Sequence, residues 1–153
     1  MVESFAKQGH GDGLCGIYSI VNVICKFEEN GDRKRDYFRH LIMAAERLGY
    51  LDYFHITIGF EAFELKEIID FVAKNFGHVL SAKILADESQ VNKARVPRKY
   101  KTGVLLYYSD PIDHWLAEVN GTIMDSSPAG YEMSITDEDE CLYGLLIENK
   151  LQD

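Results

Sequence analysis

Leu14, Ile17, Tyr18, Val21, Ile24 and Cys25 recur at three- and four-residue intervals and predict a helix over residues 14–27. A polar turn at 28–33 separates it from a second helix over 33–48. That helix carries Tyr37, Leu41, Ala44, Ala45 and Leu48 on one face, and Gly49 stops it. Residues 50–63 are rich in aromatic and β-branched side chains, and a short strand is expected there. Leu65, Ile68, Ile69, Val72 and Phe76 then mark a third helix over 63–76, closed by Gly77.

Beyond Gly77 the period shortens. Residues 78–86 alternate as a strand does, and 87–101 form a polar, basic excursion around Pro97. The near-continuous apolar run 103–108 suits a strand buried on both faces. Segments 114–119 and 122–125 flank Asn120-Gly121, a strong signal for a two-residue hairpin turn. The last third, 131–151, is ambiguous between a strand pair and a short helix. Helices first and an antiparallel sheet after them indicate an α+β domain, expected to be a single one over 1–153.

Composition narrows this further. With 46% hydrophobic residues in 153, a packed core is expected rather than disorder. The net charge of -9 argues against general binding to nucleic acid. The basic run 93–101 lacks the interleaved aromatics that stack on bases and is read as a solvated loop, and the acidic run 136–140 as a solvated turn or a helix start. No apolar stretch approaches about 18 residues and no secretory signal is visible, so no membrane span is expected. Cys15, Cys25 and Cys141 make an odd set without close spacing, which suits a reducing, cytoplasmic setting better than disulfides or zinc.

The chemistry concentrates at Gln8-Gly-His-Gly-Asp-Gly-Leu-Cys15-Gly. Cys15 follows a glycine-rich turn and opens the first helix, where unsatisfied N–H groups and the helix dipole favour a thiolate. The hairpin supplies the partner groups. With Asn120-Gly121 as the loop, Val119 faces Thr122 and Leu116 faces Asp125. His114 and Asp125 then share a sheet face as diagonal neighbours, about 5.5–8 Å apart at Cβ. Cys15 is the expected nucleophile, His114 the acid–base group, and Asp125 the group that orients His114. The Cys15 N–H and the Gln8 amide are candidate oxyanion donors. Gly13, Gly16 and Trp115 are the candidate substrate-side residues, Gly16 leaving space beside the nucleophile. His10 and Asp12 are read as turn or wall residues, with Asp12 the substitute should Asp125 be misplaced. Cys25 and Cys141 are expected to be inert, and no metal site or cofactor is expected.

Gln8, Cys15, His114 and Asp125 occur in the order of the papain-like cysteine peptidase superfamily, which the chain resembles in these residues and in its helix-then-sheet order. Cys15-Gly-Ile-Tyr-Ser and His114-Trp resemble compact bacterial relatives: bacteriocin-processing peptidase domains, effector proteases and glutamine deamidases. Asp12-Gly-Leu-Cys15 is similar to the Asp-Gly-x-Cys of ovarian-tumour-type deubiquitinases. The resemblance implies a papain-like fold and a cysteine protease acting on a peptide or isopeptide bond of a protein substrate. The alternatives are deamidase or transglutaminase-like acyl transfer on the same triad, and a papain-fold module that only binds a partner protein. A cytoplasmic effector, or one exported without a cleavable signal, is the expected setting.

Overall fold

The computed structural model describes residues 14–28, 31–95, 102–108, 114–124, 141 and 143–150. Helix α1 (Cys15–Phe27) forms where the apolar period places it. It is buried almost all round, with Ile17, Ile20, Val21 and Val23 fully enclosed, so it lies inside the fold rather than on it. Helix α2 (Lys34–Arg47) turns Tyr37, Leu41, Ala44 and Ala45 inward, the predicted face. Helix α4 (Ala62–Phe76) follows a capping box in which the Glu61 N–H donates to Glu64 at 2.8 Å, and Gly77 closes it in the left-handed region.

Among the described residues, five antiparallel strands form one sheet in the order β1-β5-β2-β3-β4. They are β1 (Leu80–Leu85), β2 (Thr102–Tyr108), β3 (His114–Val119), β4 (Thr122–Met124) and β5 (Tyr143–Asn149). Strand pleating divides the core in two. Leu105, Trp115, Ala117, Val119, Leu145 and Ile147 pack with α1 in the larger cluster. Val104, Leu106, Tyr108 and Leu116 point the other way, where Val91 of helix α5 (Glu88–Ala94) covers them. Both faces of the central strands are therefore dry, which is why residues 103–108 are an unbroken apolar run.

The order of helices and then an antiparallel sheet bears out the α+β expectation. Two local expectations are corrected. Residues 53–58 form helix α3 (Tyr53–Ile58), not a strand, because the Asp52 side chain accepts the His55 N–H at 2.9 Å and caps the turn. The excursion 87–101 holds helix α5, capped by Asp87 accepting from Gln90 at 2.9 Å, and Arg95 at its end, though partly exposed, pairs with Glu118. In the last third β5 is a strand, while 131–140 and the acidic run within it lie outside the described residues. Among the described residues no helix is long and apolar enough to cross a membrane.

Candidate active site

The β3–β4 hairpin has the predicted register. Val119 faces Thr122, Glu118 faces Ile123 and Ala117 faces Met124. Asn120 and Gly121 both take positive φ, 56° and 83°, as a two-residue turn matching strand twist requires. Asp125 lies outside the described residues, as do Gln8, His10, Asp12 and Gly13.

Cys15 is the first residue of α1, preceded by Leu14 at the N-cap with no side chain capping the helix. No acidic residue occupies the first turn, so nothing there offsets the positive helix end. The Trp115 backbone N–H donates to Cys15 Sγ at 3.4 Å, and the Ser19 hydroxyl, one turn on, donates to the Trp115 carbonyl at 3.3 Å. Two hydrogen bonds thus dock the start of α1 on the start of β3. His114 immediately precedes Trp115 and stands opposite Tyr108 on β2. Its strand position has the parity of Leu116 and Glu118, the face turned away from α1. Cys15 and His114, 7% and 5% exposed, line one cleft of about 100 Å³. The sulfur's hydrogen-bond donor among the described residues is the Trp115 N–H, not the imidazole.

Of the three substrate-side residues predicted from sequence, one lines the cleft in the structure. A Cβ on Gly16 would stand 2.9 Å from both δ-carbons of buried Leu65, and Gly16 is not among the residues that line the cleft. Trp115 does line the cleft, but it is 1% exposed and acts as its floor. Its indole N–H donates to the Phe60 carbonyl at 3.0 Å. Its ring also begins an aromatic row across three strands: Trp115 to Tyr107 at 5.1 Å, then Tyr107 stacked on Tyr143 at 4.6 Å. Gly13 lies outside the described residues.

Sequence reasoning missed the opposite wall, which Phe54, Ile58, Gly59, Phe60 and Glu61 supply. Gly59 takes φ 116° and ψ -165°, a conformation open essentially to glycine alone, and this sends the chain from α3 past the cleft into α4. Around this wall Tyr53, Phe54, Ile56, Ile58 and Phe63 are all exposed, while most other large apolar side chains are inside. The missed signal was this cluster of aromatic and branched residues with too few turns to bury them. Beneath it His55 is held between Asp52, at 2.6 Å from Nδ1, and Glu64 at Nε2.

The other two cysteines have different surroundings. Burial, and then the Glu28 charge, push the Cys25 thiol up to about 11. Burial also raises the Cys141 thiol, whose S–H donates to the Tyr143 carbonyl at 3.3 Å. Among the described residues no three or more His, Cys, Asp or Glu side chains converge on a metal position. No protein-family model matches this sequence, and no curated protein matches it.

Proposed function

We propose that this chain is a papain-like cysteine hydrolase that cleaves a peptide or isopeptide bond of a protein substrate through a thioester on Cys15. One observation carries the reading: a cysteine at a helix start and a histidine at a strand start line one cleft, docked through the Trp115 N–H. In this mechanism the Cys15 sulfur attacks the amide carbonyl while His114 holds the thiol proton. The C–N bond breaks, the amine leaves with that proton, and the acyl group stays on sulfur. Water, deprotonated by His114, then displaces the thiolate and releases the acid. The Cys15 N–H, free of helix pairing at the first position, donates to the developing oxyanion. Asp125 and Gln8 keep the roles the resemblance gives them, orienting His114 and sharing the oxyanion. The apolar wall of Phe54 and Ile58 favours a substrate segment with a bulky apolar side chain near the reacting amide.

The deciding experiment is reaction with an electrophilic peptide amide probe, followed by intact mass and peptide mapping. A single adduct on Cys15 that disappears in His114→Ala supports the hydrolase. No adduct, or an adduct spread over Cys25 and Cys141, supports the partner-binding module. Incubated candidate substrates then separate cleavage, which gives fragments, from deamidation, which adds about one dalton to an intact chain.

A further inference from the structure

Of the eight large apolar side chains exposed among the described residues, five lie between positions 53 and 63: Tyr53, Phe54, Ile56, Ile58 and Phe63. Only Val79, Ile84 and Ile123 lie elsewhere. Single exposed apolar residues need no explanation, but such a concentration marks a surface that another molecule covers.

The patch is held from beneath. A six-residue helix is too short to persist alone, so α3 depends on its anchors. Asp52 caps its start, and His55 at its centre sits between Asp52 and Glu64. Just beyond it, the Trp115 indole N–H donates to the Phe60 carbonyl. The exposure therefore belongs to a built surface, not to a frayed end.

Continuity, size and charge identify the occupant. Phe54 and Ile58 belong both to the patch and to the lining of the cleft that holds Cys15 and His114. At about 100 Å³ that cleft is well below the ~300 Å³ at which pockets enclose a ligand, so a polypeptide bound at Cys15 needs contact outside it. Among the described residues lining the cleft, Glu61 is the only Asp, Glu, Lys or Arg. Asp52 is exposed, as is Glu67, which accepts the hydroxyl of Tyr50 beside the His55 ring. No lysine or arginine occurs from Tyr50 to Leu65, and Lys66 is paired with Asp70 at 2.6 Å. Carboxylates thus border the apolar surface.

We propose that α3 is a docking platform for the substrate protein, receiving a segment in which lysine or arginine flanks bulky apolar side chains. This rests on the hydrolase reading and narrows the substrate to a cationic, apolar-rich class. The segment's apolar side chains cover Tyr53, Phe54 and Ile58, and its cationic groups face Asp52, Glu61 and Glu67. An acidic segment would bring like charges to this border and be rejected.

The test is binding of two fluorescent peptides of equal length to the full Cys15→Ser chain, read by anisotropy. One carries Leu and Phe flanked by Lys and Arg; in the other, Glu replaces every Lys and Arg. The cationic peptide should bind at least ~10-fold more tightly, and Tyr53→Ser and Ile58→Ser should each weaken it ~10-fold. A net charge of -9 attracts any cationic peptide, so binding that ignores both serine variants is general attraction and overturns the proposal. Equal binding of the two peptides, or none, overturns it too. So does a dimer in sedimentation that Ile58→Ser dissociates, because a second copy then covers α3. Tyr53 is 84% exposed, so Tyr53→Ser decides the matter even if Ile58→Ser disturbs the fold. Iodoacetamide on the wild-type chain separates this proposal from the hydrolase reading. Fast modification of Cys15 without peptide preference removes the platform alone. Peptide preference without fast modification of Cys15 overturns the hydrolase, and with it the substrate role of α3.

Discussion

The backbone N–H of Trp115 lies 3.4 Å from the sulfur of Cys15, 100 residues away in the chain. The donor is main chain, so the position of the sulfur relative to β3 does not depend on the Trp115 rotamer. With the Ser19 hydroxyl on the Trp115 carbonyl, both ends of that one peptide residue are tied to α1. His114 is the neighbouring residue, which leaves its place relative to Cys15 little freedom beyond its own side-chain torsions.

Cysteine reactivity follows from these surroundings. At neutral pH a thiol with a pKa of about 11, as at Cys25, is thiolate in only about one molecule in 10⁴. Cys141 is also held up by burial. Iodoacetamide at pH 7 is therefore expected to modify Cys15 first, through the cleft, and Cys15→Ser should remove the fast phase. Peptide mapping over time checks it. Uniform slow modification of all three cysteines would contradict a functional role for Cys15.

Gly16→Ala is expected to lower stability rather than merely narrow a substrate site. The added methyl would stand 2.9 Å from both δ-carbons of fully buried Leu65, so that side chain must shift within the core. Overpacking of this kind costs about 1–3 kcal/mol. Denaturant titration of the variant measures it, and an unchanged midpoint would return Gly16 to the cleft.

What the sequence made legible here was whatever depends on local pattern. The faces of α1, α2 and α4 follow the helical period, and the β3–β4 register follows from Asn120-Gly121, because a two-residue turn fixes which residues pair. Helices α3 and α5 escaped because each is under two full turns and rests on one capping aspartate, Asp52 or Asp87, which leaves no periodic apolar face to find. Gly16 shows another limit: a glycine that faces a neighbouring side chain and one that leaves room for a ligand look identical in sequence. The Phe54–Glu61 wall depends on tertiary placement, which the Trp115–Phe60 hydrogen bond sets and no spacing announces.

Arg95→Ala should destabilise the sheet beside the candidate site. Arg95 forks onto Glu118 of β3, with Nη2 at 2.8 Å and Nε at 3.1 Å from the same oxygen. The Glu118 side chain is only 8% exposed while Arg95 is 35% exposed, so the loss falls on the carboxylate left behind. Stranding a buried charge costs about 3 kcal/mol, reduced here because solvent reaches the arginine side. The double variant Arg95→Ala, Glu118→Gln should recover part of that loss. A thermal melt in which the double variant is no more stable than Arg95→Ala would show that the unpaired charge is not the cause.

The wall of the cleft should carry its own pH dependence, through His55. Burial works to lower the His55 pKa, but hydrogen bonds to Glu64 and Asp52 outweigh it, and the folded value lies above 6.5. The stabilisation from protonated His55 is thus fully present below about 6.5 and is lost as pH rises through the folded value. Asp52 works in the opposite sense. The His55 backbone N–H, and then its ring, hold the carboxyl below 3.8, so its contribution exists above that value and is lost as pH falls through the lowered one. Helix α3 should accordingly be most protected between the usual carboxylate and histidine ranges. Amide hydrogen exchange of residues 53–58 from pH 4 to 9, corrected for intrinsic rates, should show protection falling on the alkaline side. His55→Gln should flatten that fall, because the amide cannot titrate. His55→Ala leaves Glu64 buried without its counter-charge and should cost about 3 kcal/mol. If α3 exchanges alike in wild type and His55→Gln across the alkaline range, the imidazolium does not hold this wall in place.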